Sequence, residues 1–347
     1  MSPTAVKRLK SSKKINICHD IWLNIFPWLC PAQVGLTLAL LSLRFDWLVD
    51  THFKTRKWTF GGRITVHLGC APYPCTVKGQ CACYSIYAKC FENWWDGGRP
   101  PRQHEELPIH QLPLPDNLIG FKFIHISFID GTVLSFLRRF KPLFEMCGIT
   151  LDIQIEGNGY RSWELITGQI IPLIGTTNIT KLYIGSVTTL HELLVRISPD
   201  FLISCRNLRS IYFGVYDFER FEGPKVREWL QLPRADGRPK VLYRSSFGLE
   251  QDNYKQDFLA ATSSANYIIC SDYVAEWRFK QLDNARTNER LSLQRVEDKF
   301  CMTRAQIGRN EQQWAQWMGE ALREEEEKRV VQFYLYDKKI GAMDVQL

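Results

Sequence analysis

The side chains best suited to chemistry in this 347-residue chain are crowded into one short stretch. Cys70, Cys75, Cys81, Cys83 and Cys90 follow one another there, with His67 just before them and His104 and His110 just after. A structural zinc site needs four such ligands, usually in close pairs separated by about two to four residues. The intervals here are four, five, one and six residues, and no C-x-x-C pair is present. The spacing favours an exposed insertion with free thiols over a small zinc loop, so no metal ligand set is assigned. Eleven cysteines in all suit a reducing compartment, where thiols serve as small core residues. Cys147, Cys205 and Cys270 read in that way.

Other catalytic signals are missing from the sequence. There is no GxGxxG or GxxxxGK[ST] phosphate loop, no HExxH and no GxSxG. His125 lies close in sequence to Lys122 and Asp130, and reads as a hydrogen-bonded surface histidine rather than a general base. The expectation is a chain with no catalytic residue and no cofactor. Apolar residues make up 45% and charged residues 23%, an ordinary globular balance, and the net charge of +7 is too small to establish a nucleic-acid partner. The apolar run Ile21 to Leu43 is broken by Pro27 and Pro31, which argues against a membrane span. Asp20 and Asn24 interrupt any signal-peptide core, so the reading is intracellular, cytoplasmic and/or nuclear.

Five regions follow from patterning. Residues 1–14, with Lys7 to Lys14, read as a disordered, solvated basic tail. Residues 15–56 read as three short helices. Ile17, Ile21, Ile25, Trp28 and Leu29 stripe the first, Val34, Leu38 and Leu41 the second, and Phe45, Leu48, Val49 and Phe53 the third. A module this small cannot bury Trp22, Phe26, Trp28, Leu36, Leu40, Phe45 and Trp47 together, so some apolar surface must meet a partner. Residues 57–118 read as a strand around the Gly61-Gly62 turn, followed by a Cys- and Pro-rich linker.

Residues 119–245 carry an internal repeat. Ile124, Ile153, Leu182 and Ile211 are 29 residues apart, as are Ile126, Ile155, Ile184 and Phe213. Leu137, Ile166 and Val195 keep the same interval in the helical patterns between the strands. Leu242, 29 beyond Phe213, continues the series. Such βα units stack strand beside strand in a degenerate leucine-rich-repeat-like array. Residues 246–347 read as an antiparallel meander through Tyr273, Ala275, Trp277, Phe279, Leu291, Leu293, Val296, Phe300 and Met302. They also hold an amphipathic helix from Asn310 to Arg329, whose acidic end Glu324–Glu327 is solvated, and a last strand Val330–Tyr336 that joins the meander. The fold class is mixed α+β and α/β.

The three-helix stretch resembles an F-box, the module that docks a receptor onto the Skp-family adaptor of a cullin-RING ubiquitin ligase. Ile17-Cys18-His19-Asp20 stands for the usual Leu-Pro-x-acid opening, and Leu29-Cys30-Pro31 stands for Leu-Asp-Pro. Ala39-Leu40-Leu41-Ser42 then precedes Arg44-Phe45. The wording from Leu38 to Phe53, followed by Lys54 to Gly62, is similar to a large F-box family of nematodes. Leu114–Asn117, Phe128–Asp130, Trp229-Leu230 and Asn310 to Trp317 extend the resemblance over most of the chain. Cys18 departs from the family's proline, and the second helix is one residue longer than its pattern.

The resemblance implies a non-catalytic substrate-receptor subunit of a Skp–cullin–F-box ligase, active in protein ubiquitination. Its partners are the adaptor, through it a cullin, and an unidentified protein substrate, with no nucleic acid and no membrane. Carried over position by position, the adaptor contacts are Ile17, Cys18, Ile21, Ile25, Leu29, Pro31, Leu40, Leu41 and Phe45. The substrate face falls on the repeat strands at Lys122, His125, Ser127, Asp152, Gln154, Tyr183, Arg209 and Tyr212. Two alternatives stand beside this: an interaction scaffold without a ligase role, and a zinc-dependent nucleic-acid binder using the cysteine stretch and the basic tail.

Overall fold

The computed structural model describes residues 17–29, 34, 38–68, 84–89, 106–107, 117–146, 148–155, 159–185, 187–214, 223–248, 251–274, 276, 278–323, 329–335, 337 and 340–341. The basic tail, Pro31, Cys70 to Cys83, Cys90, His104, His110 and the acidic run Glu324–Glu327 lie outside these residues. The chain divides into two compact units, Met1–Trp58 and Thr59–Leu347.

The first unit is helical. α1 spans His19–Ile25 and passes into a 3-10 turn at Phe26–Trp28, where Pro27 fits because an early helical position needs no amide donor. A second 3-10 turn, Ala39–Leu41, leads to Ser42, whose hydroxyl accepts from the Phe45 amide at 3.3 Å and caps α2, Leu43–Thr55. Phe26, Val34, Leu48 and Val49 form the buried centre, with Trp22, Leu23, Leu29, Leu38, Phe45 and Phe53 packed around it.

The second unit is built on one thirteen-stranded mixed sheet in the order β10-β11-β12-β9-β8-β7-β6-β5-β13-β4-β1-β2-β3. Its edge is β1 (Trp58–Leu68), β2 (Tyr84–Lys89) and β3 (Glu106–Leu107). The βα region follows as β4 (Leu118–Ile126), α3 (Gly131–Met146), β5 (Ile149–Ile155), α4 (Tyr160–Leu165), α5 (Ile171–Ile174), β6 (Ile179–Ile184), α6 (Val187–Arg196), α7 (Phe201–Ser204), β7 (Ser210–Phe213), α8 (Pro224–Gln231) and β8 (Lys240–Phe247). A π-helical turn, Ile166–Ile170, links α4 to α5. Then come α9 (Gln251–Ala260), β9 (Tyr267–Val274), β10 (Gln281–Asn284), β11 (Glu289–Val296), β12 (Lys299–Gln306), α10 (Glu311–Leu322) and β13 (Val330–Leu335). The mixed α/β class and the C-terminal antiparallel meander β10–β11–β12 are present.

Parallel pairing runs β5–β6–β7–β8–β9. Alternate residues divide the two faces. Leu151, Ile153, Leu182, Ile184, Ile211 and Leu242 are buried on one face, where α3 packs on β4 and α6 on β5 and β6. Asp130 caps α3: its Oδ1 accepts from the Val133 amide at 2.9 Å.

The last strand departs from expectation. Val330–Leu335 does not join the meander but lies between β4 and β5, parallel to both. Its Val331, Phe333 and Leu335 are fully buried on one face, Gln332 and Tyr334 are half-buried on the other, and pairing with β4 and β5 satisfies its backbone groups along both edges. β4 and β5 are therefore not adjacent, although their residues keep the 29-residue interval. Between β6 and β7 that interval is the true register, Leu182 opposite Ile211. Between β5 and β6, Ile153 stands opposite Ile184 rather than Leu182, with a register irregularity at Ile149/Thr150. Between β7 and β8, Ile211 rather than Phe213 faces Leu242.

Other differences are smaller. Gly61-Gly62 is not a turn but lies within β1. β9 ends at Val274, so Phe279 belongs to a connection, not a strand. The amphipathic helix stops at Leu322, and its Trp314, Met318 and Ala321 pack on Ile268, Cys270, Cys301 and Ala305. The sheet also crosses the expected boundaries at 118/119 and 245/246, because its pairing is continuous through them.

Candidate functional site

Two places carry the expected contact residues, one in each unit. In the helical unit, α1 and α2 meet through rings: Trp22 lies edge-on to Phe45 at 4.9 Å, and Phe26 edge-on to His52 at 5.5 Å. Burial, aided by the nearby Arg56 charge, lowers the His52 pKa, which keeps the imidazole neutral against Phe26. Arg44 reaches back to donate its Nη2 to the Ile17 carbonyl, fixing the chain entry to α1.

The residues expected at the adaptor separate into two groups. Cys18, Ile21, Leu40 and Leu41 are exposed. Ile17, Ile25, Leu29 and Phe45 are half-buried, and Leu29 and Phe45 spend their apolar surface on the unit's own core. Three open side chains were not in the expected set: Trp28 at 88% exposure, Leu43 at 89% and Trp47 at 55%. Trp28 and Trp47 belong to the apolar surplus that the composition already showed. Leu43 had a subtler signal. It follows the Ser42 cap, and a side chain on a helix's first residue leans back over a turn that does not exist. The unit thus leaves Ile21, Trp28, Leu40, Leu41, Leu43 and Trp47 open to water.

In the larger unit, register aligns one residue from each of six strands into a row across the sheet. His125 of β4 stands opposite Gln332 of β13, which stands opposite Asp152 of β5. Tyr183, Tyr212 and Tyr243 continue it on β6, β7 and β8. The first half is a polar chain: His125 Nδ1 lies 2.7 Å from Gln332 Oε1, and Gln332 Nε2 donates to Asp152 Oδ2 at 2.6 Å. Gln154 Nε2 adds donations of 3.3 Å to both Asp152 oxygens. Burial pushes the Asp152 pKa up, against these hydrogen bonds, which favour its charged form. The second half is a ladder of stacked rings, 4.2 Å between Tyr183 and Tyr212 and 4.0 Å between Tyr212 and Tyr243. Tyr243 closes it by donating its hydroxyl to the Ala321 carbonyl of α10 at 2.6 Å.

Four of the eight residues expected on the substrate face, His125, Asp152, Tyr183 and Tyr212, are thereby brought into one row. Arg209 is exposed, and with Tyr212 it lines a pocket of about 290 Å³ between the sheet and α10. Lys122 and Gln154 are half-buried on the same strands as His125 and Asp152. Two expectations fail on burial. Ser127 is buried beyond the end of β4, and Asp152 is buried under its glutamine donors, so neither is an open contact. The sequence missed Gln332 because its strand was expected in the meander, and Tyr243 although Leu242 beside it was read as continuing the series.

Among the described residues no group of His, Cys, Asp and Glu is placed to hold a metal ion, and no helix is long and apolar enough to cross a membrane. No family model, no curated protein and no solved structure matches the chain.

Proposed function

We propose that this chain is the substrate-receptor subunit of a Skp–cullin–F-box ubiquitin ligase. The helical unit docks a Skp-family adaptor, and the βα region, read as a degenerate leucine-rich-repeat-like array, presents a protein substrate. The observation that carries the reading is the exposure of Ile21, Leu40 and Leu41, three apolar residues that the motif order assigns to the adaptor. Burying the exposed part of each in a complex would contribute at most roughly 1.5–3 kcal/mol toward the interface. The chain has no step to catalyse in this role. It holds the substrate near a conjugating enzyme and raises its effective concentration.

Co-purification with a Skp-family adaptor tests this, comparing the native chain with Ile21→Asp/Leu40→Asp. Both positions are open, so the fold should survive, while each aspartate would bring a charge into the apolar contact. Loss of adaptor by a folded double variant is the expected result. No adaptor on the native chain would sink the reading. The exposed Cys18, standing where the motif has proline, favours a second reading: a protein-interaction scaffold whose docking has lapsed. Under it, the native chain binds no adaptor and Cys18→Pro restores binding.

A further inference from the structure

The pocket between the β6–β8 face and α10 is rich in positive charge. Lys181, Arg209, Arg234, Arg238 and Arg323 all line it, against one carboxylate among the described lining residues, Glu320. Two of the arginines are held in place. Arg234 pairs with Asp236 and donates Nη1 to the Pro239 carbonyl at 3.1 Å, while Arg238 pairs with Glu320 of α10. Lys181, Arg209 and Arg323 make no ion pair among the described residues. The cations also press on one another. Burial lowers the Arg234 pKa, and repulsion from Arg209 and Arg238 acts in the same direction. Like charges gathered in a half-enclosed space cost stability that an anion would recover.

We propose that this pocket binds a phosphomonoester dianion. Among the described residues two carboxylates, Asp236 and Glu320, offset two of the five cations, which leaves an excess that a dianion matches better than a single carboxylate. Guanidinium forks suit phosphate oxygens geometrically, and the paired Arg234 and Arg238 are already aimed. The remaining wall is apolar and stiff. Val241 and the stacked Tyr212 and Tyr243 form its floor, and the half-buried Trp317 its side. A volume of about 290 Å³ holds a phosphate together with the group that carries it. The cations converge on one pocket instead of lining a groove, which fits a single phosphate better than a polyanion backbone.

The phosphate has two sources with the same chemistry, a phosphorylated side chain of a protein partner or a small soluble phosphate. The proposal rests on the substrate-receptor reading only for the first source, since binding itself needs no adaptor. The full chain is titrated calorimetrically with inorganic phosphate, with the peptide Gly-Gly-phosphoserine-Gly-Gly, and with the same peptide unphosphorylated. The variants are Lys181→Gln/Arg209→Gln, Arg323→Gln as a second probe at an exposed position, and Lys141→Gln as a control at an exposed position on α3, away from the pocket. The expected result is phosphate-dependent binding that weakens about tenfold or more in the double variant, weakens in Arg323→Gln, and is unchanged in Lys141→Gln. Tighter binding of the phosphopeptide than of phosphate identifies a protein source, and equal binding a soluble one. Equal binding of the unphosphorylated peptide, no binding of any probe at millimolar concentration, or affinity indifferent to the variants would overturn the proposal. None of these outcomes depends on whether the adaptor binds.

Discussion

Lys240 offers a quantitative check on the electrostatics behind the cationic pocket. It is the first residue of β8, 6% exposed, with its Nζ 4.8 Å over the Trp229 ring and donating to the Trp229 carbonyl. Burial, reinforced by the neighbouring Arg234, lowers its pKa from 10.5 to about 8. A lysine whose folded pKa lies below its unfolded one binds its proton more weakly in the fold. Below about pH 8 both states are charged, and the fold carries the whole penalty. As pH rises from about 8 to 10.5, the folded lysine gives up its proton first and the penalty fades. At about 1.36 kcal/mol per pKa unit, the penalty at neutral pH is about 3 kcal/mol. Lys240→Met removes it and keeps a stem of similar length, but strands the Trp229 carbonyl at a cost of about 1 kcal/mol at every pH. The variant should therefore be more stable than the parent by about 2 kcal/mol near neutral pH and less stable by about 1 kcal/mol above pH 10.5. Urea unfolding of both proteins across this range measures the difference, with other titrating groups cancelling between them. A stability difference that stays constant with pH would refute the claim that Lys240 is charged and under strain at neutral pH.

Two further expectations concern the same sheet. Arg304 is wholly buried and donates Nε and Nη2 to Glu289 Oε2 at 3.0 and 2.6 Å, while Glu289 Oε1 accepts from the Ala265 amide at 2.7 Å. Glu289→Ala should cost about 3–5 kcal/mol in chemical unfolding by leaving the guanidinium uncompensated, whereas Arg304→Met/Glu289→Leu should come out near neutral or better. Asp152, its pKa raised by burial, contributes stability below its unfolded value of 3.8 and loses it as pH rises through the folded one. Asp152→Asn should thus raise the melting temperature at neutral pH, and the advantage should vanish in acid; an advantage that persists unchanged at low pH would count against the buried, disfavoured carboxylate.

Periodicity made the elements legible and left their neighbours hidden. The helical stripe Leu48 and Val49 and the alternating strands ITLDIQI and ITKLYI announced themselves because local burial imposes a local pattern. Pairing partners leave no such mark. Val330–Leu335 reads as an apolar strand wherever it pairs, and chain order pointed to the meander, while its backbone pairs along both edges between β4 and β5. The equal intervals of 29 residues likewise matched register only between β6 and β7, and elsewhere counted chain length. The row from His125 to Tyr212 could be half seen, since each member sits on the outer parity of its strand. The cationic pocket could not, because its side chains come from β6, β7, β8, the loops before β7 and β8, and the C-terminal end of α10, at positions scattered from 181 to 323. Only Arg209 and Tyr212 of that set were singled out in advance.

The uneven cover of the sheet explains why both rows of chemistry fall where they do. A parallel sheet is stable when both faces are covered. Here the face bearing Leu151, Leu182 and Ile211 is closed by helices, and on the other face α10 packs over Val241, Ile268, Cys270 and Cys301. On that second face, the side chains of β5 to β7 change character as α10 is left behind. Asp152 is sealed by glutamine amides, and Tyr183 and Tyr212 shield each other by stacking, so each buries its neighbour without a helix above. Tyr243 marks the border, stacked on Tyr212 on one side and hydrogen-bonded to α10 on the other. A cleft must open at that border, floored by rings and edged by the loops at the strand starts, and these loops carry Arg209, Arg234 and Arg238. Tyr243→Phe would keep the stack and release α10 at Ala321, so it should loosen the pocket's far wall, Glu320 and Arg323, before it disturbs the sheet. Hydrogen exchange at α10 amides, faster in the variant while β6–β8 stay protected, would report that order; equal acceleration in both would mean that the border does not exist.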